Sequence, residues 1–214
     1  MPVAGTPLLR LRIKTMLKAA YYEGKRRIRI GRCLPAIPDA NQVQIEVSYC
    51  GICGTDVHLF RGKMDHRVQV PQVFGHEMSG TIVAVGKDVK EFKSGDRATV
   101  RPLDPCGACP ACRDGFSHVC HRLKVIGIDA PGALQALWTV SALMLHHLPD
   151  SLPMKTTALI EPLPVACHDV RLAGLRSDEY VVVQGGGPIG MLIAMVARLA
   201  GATVLISEVN PYRL

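Results

Sequence analysis

Aromatic residues are scarce in this chain, 5% of 214 residues with a single tryptophan, whereas glycine (20) and proline (15) are plentiful. That balance suits a turn-rich domain of short strands better than a helical bundle. No secretory leader with a long apolar region and cleavage site opens the sequence. Nor is there an apolar run long enough to cross a bilayer, since the most apolar stretch, Gly185 to Ala197, is stopped by Arg198. Internal repeats and low-complexity segments are also missing. Acidic residues are outnumbered, 18 against 25 Lys and Arg for a formal charge of +7. The cations read as spread along the chain rather than gathered with aromatics, so neither a nucleic-acid nor a membrane partner is expected.

What is present is enough for a folded protein: 48% of residues are hydrophobic, ample for a buried core. Residues 1–15 (MPVAGTPLLRLRIKT) carry basic but no acidic residues. They read either as an organelle-targeting leader or as residues upstream of the true start, without ordered structure. From Met16, MLKAAYYEG reads as a first strand. Val43 to Val47 alternates apolar and polar residues at the strand period, and Gly80 to Gly86 and Arg97 to Val100 read as further strands, separated by turns at Gly86-Lys-Asp88 and Lys93-Ser-Gly-Asp96. A mainly β domain with a long cysteine-rich loop is expected over 16–175. After Leu175 the pattern changes. Glu179 to Val183 and Thr203 to Ser207 read as strands flanking a helix over Ile189 to Ala200, a β-α-β unit in 176–214. In that helix Ile189, Leu192, Ile193, Val196 and Leu199 recur at helical spacing and are expected to pack on the sheet.

Eight cysteines stand out, four of them in the array Cys106-x-x-Cys109-x-x-Cys112-x7-Cys120. Structural zinc takes four soft ligands at tetrahedral corners, and two-residue spacers let one tight loop present successive thiolates while a longer turn brings the fourth. Such a closed site holds a loop in shape and does no chemistry. Disulfides, an iron-sulfur cluster and a zinc-ribbon module are the competing readings. The absence of a secretory leader favours reduced thiols in a cytoplasmic protein. A second set is mixed: Cys53, His76 and Glu77 offer a thiolate, an imidazole and a carboxylate, a combination that can leave a metal position open for catalysis. Glu161, much later in the chain, is a further candidate carboxylate.

Gly185-Gly-Gly187-Pro188-Ile189-Gly190 follows one expected strand and opens the helix, the context in which backbone amides and a helix N-terminus meet a dinucleotide pyrophosphate. Glu208 ends the next strand, where a carboxylate can accept hydrogen bonds from adenosine ribose hydroxyls. It would repel a 2′-phosphate, so NAD is expected over NADP.

The run Gly75 to Val89 (GHEMSGTIVAVGKDV), the GICGTDVH segment and the cysteine loop together resemble the zinc-dependent medium-chain alcohol and polyol dehydrogenases, in their N-terminal portion. The resemblance implies an α/β protein: a GroES-like β-barrel catalytic domain followed by the first β-α-β unit of a Rossmann domain, cut short of the whole. It implies two zinc ions. Cys53 and His76 would bind the catalytic one with either Glu77 or Glu161; Cys106, Cys109, Cys112 and Cys120 would bind the structural one. Cys50 aligns with no ligand and reads as a buried small side chain. Thr55 and His58 occupy the family's proton-relay positions, with plain hydrogen bonding in the loop as the other reading of each. Arg213 matches a basic position that touches the ribose, or is a solvated charge. Glu161-Pro162-Leu163 is similar to the sorbitol, butanediol and threonine dehydrogenases, which implies hydride transfer from a secondary alcohol or polyol to NAD. A primary alcohol or an amino alcohol such as threonine is the alternative substrate. A zinc-free reductase on the same fold would have no use for the cysteines. A non-enzymatic zinc-binding interaction module predicts one zinc per chain instead of two. The resemblance further implies a homo-oligomeric whole enzyme. Because a doubly wound domain needs strands on both sides of its crevice, the 214-residue stretch is expected to be a fragment of doubtful activity alone.

Overall fold

The computed structural model describes residues 17–33 and 36–214. The leader expected over 1–15, with Met16, lies outside the described residues. Two compact units divide between Ala158 and Leu159.

The first unit is mainly β: β1 (Lys18–Tyr22), β2 (Ile28–Arg32), β3 (Gln42–Cys50), β4 (Gln72–Val73), β5 (Met78–Val85), β6 (Arg97–Val100), β7 (Leu103–Asp104), β8 (Lys124–Val125), β9 (Leu137–Ser141) and β10 (Leu145–His147). Three short helices interrupt them, α1 (Gly54–Phe60), α2 (Pro110–Arg113) and α3 (Met154–Thr157). A five-stranded antiparallel sheet runs β10-β6-β5-β3-β9, a three-stranded one β2-β1-β4, and β7 pairs with β8. The alternation in β3 puts Val43 and Ile45 into a core with Met78, Ile82, Val100 and Trp138. Each such side chain taken wholly from water contributes about 1.5–3 kcal/mol. This burial fixes the register, because a one-residue slip would turn every side chain to the other face. Ile45 therefore faces Ile82 and Cys50 faces Met78. In consequence the loop leaving β3 meets the loop entering β5, with the Gly51 amide bonded to the Glu77 carbonyl at 2.6 Å.

The expected strands at 43–47, 80–86 and 97–100 are all present, the first longer than its alternation suggested. One compositional expectation is corrected. Lys25, Arg26, Arg27, Arg29 and Arg32 are not spread out but share the β1–β2 hairpin, all exposed. Residues 1–32 hold nine of the 25 Lys and Arg and one of the 18 Asp and Glu, which accounts for the whole positive excess.

The second unit contains α4 (Leu163–Leu172), β11 (Tyr180–Gln184), α5 (Pro188–Leu199) and β12 (Thr203–Ser207). β11 and β12 are parallel, joined through α5, as a β-α-β unit requires. The unit begins earlier than the change of composition after Leu175, because α4 packs on α5. The expected apolar stripe of α5 also needs correction. Its buried residues are Ala194 and Ala197, while Leu199 is 88% exposed. Small side chains win here because the helix approaches the strand loop so closely that a Cβ on Gly190 would overlap the Gly185 carbonyl oxygen.

Among the described residues, no helix is long and apolar enough to cross a membrane.

Candidate active site

Cys53 caps the N-terminus of α1 in extended backbone, and its amide donates to Asp56 Oδ2 at 2.8 Å. Two loops then converge on its sulfur. A donor atom from each of Cys53, His76 and Glu77 lies within 4.8 Å of the others. Glycines make this approach possible. Gly75 has φ +86°, and a Cβ there would stand 2.7 Å from Leu134 Cγ and 2.9 Å from Cys50 Sγ. A Cβ on Gly51 would overlap the Glu77 carboxylate. Glu161 belongs to the second unit and is not among these three.

Burial pushes the Cys53 thiol up, while the amide and hydroxyl of Thr55 pull it back by hydrogen bonding to the sulfur. A thiol so placed gains most from a cation that stabilises its thiolate. Thr55 thus adjoins the candidate donor set through Cys53. His58 lies one helical turn further on, exposed to solvent. Cys50 stands outside the donor set, and its thiol is pushed up to about 12 by burial and then by the charges of Asp56 and Glu77. Expected as a buried small side chain, it is half-buried.

Sequence reading passed over Asp56. Its carboxylate is buried, bonds the Cys53 amide and lies 3.9 Å from His76 Nδ1. Burial raises its pKa, against the pull of the Cys53 amide and of His76. One carboxylate thus bonds the backbone of one donor residue and sets a negative charge beside another. Its position three residues after Cys53, where an N-cap amide finds a helix carboxylate, was the available signal.

The four cysteines of the loop form a second cluster, with every Sγ within 4.8 Å of the others. Cys109 Sγ lies 3.5 Å from Cys112 Sγ and 3.8 Å from Cys120 Sγ. Zinc–sulfur bonds of about 2.3 Å at tetrahedral corners put sulfurs about 3.8 Å apart, so the cage fits that ion. The separations are far beyond the ~2.05 Å of a disulfide, and all eight cysteines are free. Backbone amides of Cys106 and Arg122 donate to Cys120 Sγ, each at 3.3 Å. Amide donors, chiefly Ala108, hold the Cys106 thiol down at about 5, whereas burial and the neighbouring thiols push Cys112 up to about 12.

In the second unit Gly187 is the N-cap of α5, Pro188 its first residue and Ile189 its next. Gly185 has φ +100°, a left-handed turn that glycine adopts freely. Glu208 Oε2 accepts the Gly186 amide, and Oε1 accepts those of Val209 and Asn210, all at 2.8 Å. The Asn210 and Gly186 amides lead in lowering its pKa. Arg213 Nη1 lies 3.7 Å from Glu208 Oε2 and against Gly187. Gly185, Gly187, Gly190, Glu208 and Arg213 are therefore gathered at one helix mouth.

Residues 39–150 match the alcohol dehydrogenase GroES-like domain. The chain is 49% identical over 195 residues to the 2-dehydro-3-deoxy-L-galactonate 5-dehydrogenase of Pseudoalteromonas atlantica, a match covering 91% of this chain and 57% of the relative. It is 36% identical over 178 residues to the L-galactonate-5-dehydrogenase of Escherichia coli, covering 83% of this chain and 52% of that protein. A crystal structure from Sinorhizobium meliloti, assigned as a zinc-binding dehydrogenase and bound to NADP, superposes with TM-score 0.87 at 34% identity, covering 93% of this chain and 58% of the other. The chain thus spans a little over half the length of these relatives. With the GroES-like match covering more than half of its residues and both cysteine-bearing loops folded into donor clusters, the chain belongs to the zinc-dependent medium-chain alcohol and polyol dehydrogenase family.

Proposed function

We propose that this chain carries the metal-binding and dinucleotide phosphate-binding portions of an oxidoreductase that moves hydride from a secondary alcohol or polyol to NAD. The observation that carries the proposal is the convergence of Cys53, from the loop leaving β3, with His76 and Glu77, from the loop entering β5, on one point. Such a mixed set suits a catalytic ion, and the four-sulfur cage suits a structural one. Zinc held by the mixed set would act as a Lewis acid toward an alcohol hydroxyl, lowering the pKa of a group otherwise too weakly acidic to release hydride from its carbon. The chain's own residues do the rest. The Thr55 hydroxyl, which lowers the pKa of the neighbouring Cys53 thiol, would take the substrate hydroxyl proton, and the solvent-exposed His58 would hand it to water. Asp56 faces His76 Nδ1, which leaves Nε2 for the metal.

The amides and helix mouth at Gly185–Gly190 would receive the pyrophosphate, and Glu208 the ribose hydroxyls. Glu208, held ionised by three amides, would repel a 2′-phosphate, which favours NAD here although the S. meliloti protein was crystallised with NADP. The sugar-acid dehydrogenases among the relatives support a polyhydroxylated substrate. No nucleic-acid partner is part of this proposal.

Metal analysis of protein purified without chelator tests the metal assignment. Two zinc ions per chain are expected, with Cys53→Ser losing one and Cys106→Ser losing the other. A single ion that survives Cys53→Ser would overturn the catalytic site and favour a zinc-stabilised interaction module. Substituting Glu77 and Glu161 in turn identifies the carboxylate ligand: Glu77→Ala is expected to release the Cys53-dependent ion and Glu161→Ala to retain it.

A further inference from the structure

The β1–β2 hairpin carries a charge that the dehydrogenase chemistry does not use. Lys25, Arg26, Arg27, Arg29 and Arg32 are exposed, and among the described residues its one ion pair is Arg29 to Glu23, at 2.6 Å. Between the cations stand Ile28 and Ile30, 44% and 62% exposed although both lie in a strand. They are exposed because β2 ends its sheet: the order is β2-β1-β4, and no described strand covers the far edge.

The ladder settles which groups face that edge. Cys33 N bonds Leu17 O at 2.7 Å and Glu23 N bonds Arg27 O at 2.9 Å. With Ala19 opposite Gly31 and Tyr21 opposite Arg29, the odd-numbered residues of β2 bond inward to β1. The N–H and C=O groups of Ile28 and Ile30 therefore point outward. Side chains alternate across the strand, so Arg27 and Arg29 share one face, and Ile28 and Ile30 the other.

From this we infer that β2 is a docking edge for an extended acidic peptide of a partner protein, one whose residues alternate acidic and apolar. Such a strand bonds the outward backbone groups of Ile28 and Ile30. It sets carboxylates across from Arg27 and Arg29, and apolar side chains across from the two isoleucines. A second copy of this edge is excluded by charge, since it would place arginines against arginines. Residues 1–16, with Arg10, Arg12 and Lys14 and no carboxylate, offer no complementary charge.

The test uses the whole chain and fluorescence anisotropy of labelled peptides at physiological ionic strength. A short peptide of alternating Glu and Val is expected to bind at least about tenfold more tightly than a peptide of the same composition with its Glu and Val segregated in blocks. Arg27→Gln with Arg29→Gln should abolish that preference. Ile30→Pro is the decisive variant. It removes an outward N–H and leaves the bonds to β1 intact, so it should weaken the alternating peptide about tenfold while circular dichroism and melting stay as in the parent. Equal affinity for both peptides, or indifference to Ile30→Pro, would overturn the inference and leave a patch that reads charge alone. Tighter binding of single-stranded DNA or of phosphatidylserine vesicles than of the alternating peptide would overturn it in favour of another partner. No detectable binding to any probe would mean that the cations serve only to keep the edge from pairing.

Discussion

At the scale of single residues, the chemistry rests on groups that hold the donors as much as on the donors themselves. Cys53, His76 and Glu77 were readable in the sequence because thiolate, imidazole and carboxylate are unusual neighbours near glycines. Asp56 was not, because a carboxylate in a first helical turn is ordinary until its burial is known. In the folded chain it is the one acidic residue buried as a whole among the described residues, and it bonds the Cys53 amide and lies 3.9 Å from His76 Nδ1. Asp56→Asn keeps the shape and an acceptor for the amide but removes the charge beside His76. Zinc affinity of the mixed site is expected to fall by about 10–100-fold, the usual effect of losing an outer partner of a ligand. Chelator competition measures this directly, and the four-cysteine site, which has no contact with Asp56, should keep its affinity as the internal standard. Equal weakening of both sites would mean that the variant had loosened the fold and not the ligand.

At the scale of elements, what the sequence disclosed depended on whether a pattern was paid out in burial. β3, β5 and β6 alternate because one face meets the core, and all three were legible. β2 alternates too, in Ile28-Arg-Ile30, but both isoleucines are exposed on an edge that no described strand covers, so burial did not mark it. The helix α4 was missed because Pro162 at its N-cap and Pro164 at its second position read as a loop, yet both sit where a helix start tolerates proline. The hairpin turn was overlooked for the opposite reason. Lys25 and Arg26 have φ +51° and +61°, consecutive left-handed residues of the kind that Asn-Gly supplies without strain. Side chains there cost about 1–2 kcal/mol each relative to glycine. Lys25→Asn with Arg26→Gly is therefore expected to stabilise the first unit by about 1–2 kcal/mol, read as a higher midpoint in urea with an unchanged slope. An unchanged midpoint would show that the tip cations contribute contacts that offset their strain.

At the scale of the whole molecule, the two units have unequal means of stability, and the candidate metal-donor clusters fall unequally between them. The first has a five-stranded sheet around a closed apolar core and contains both donor clusters. Within these 214 residues, the second has two parallel strands and two helices, with Tyr180, Val182 and Leu205 exposed along the strands. A sheet that small opens easily, so amides of β11 and β12 are expected to exchange faster than those of β3 and β5. Zinc should widen the difference. An ion that binds only the folded state adds its binding free energy to the unit that holds its ligands and leaves other units as they were. If Cys53, His76 and Glu77 are the ligands, adding zinc to Cys106→Ser protein, in which only the mixed site is intact, will slow exchange within residues 17–158 and leave residues 159–214 unchanged. If Glu161 replaces Glu77, protection must extend to the segment that begins the second unit, through Glu161 and into α4. Hydrogen exchange followed by mass spectrometry, with and without zinc, separates the two patterns, because the candidate carboxylates lie in different units and can be reported by different peptides.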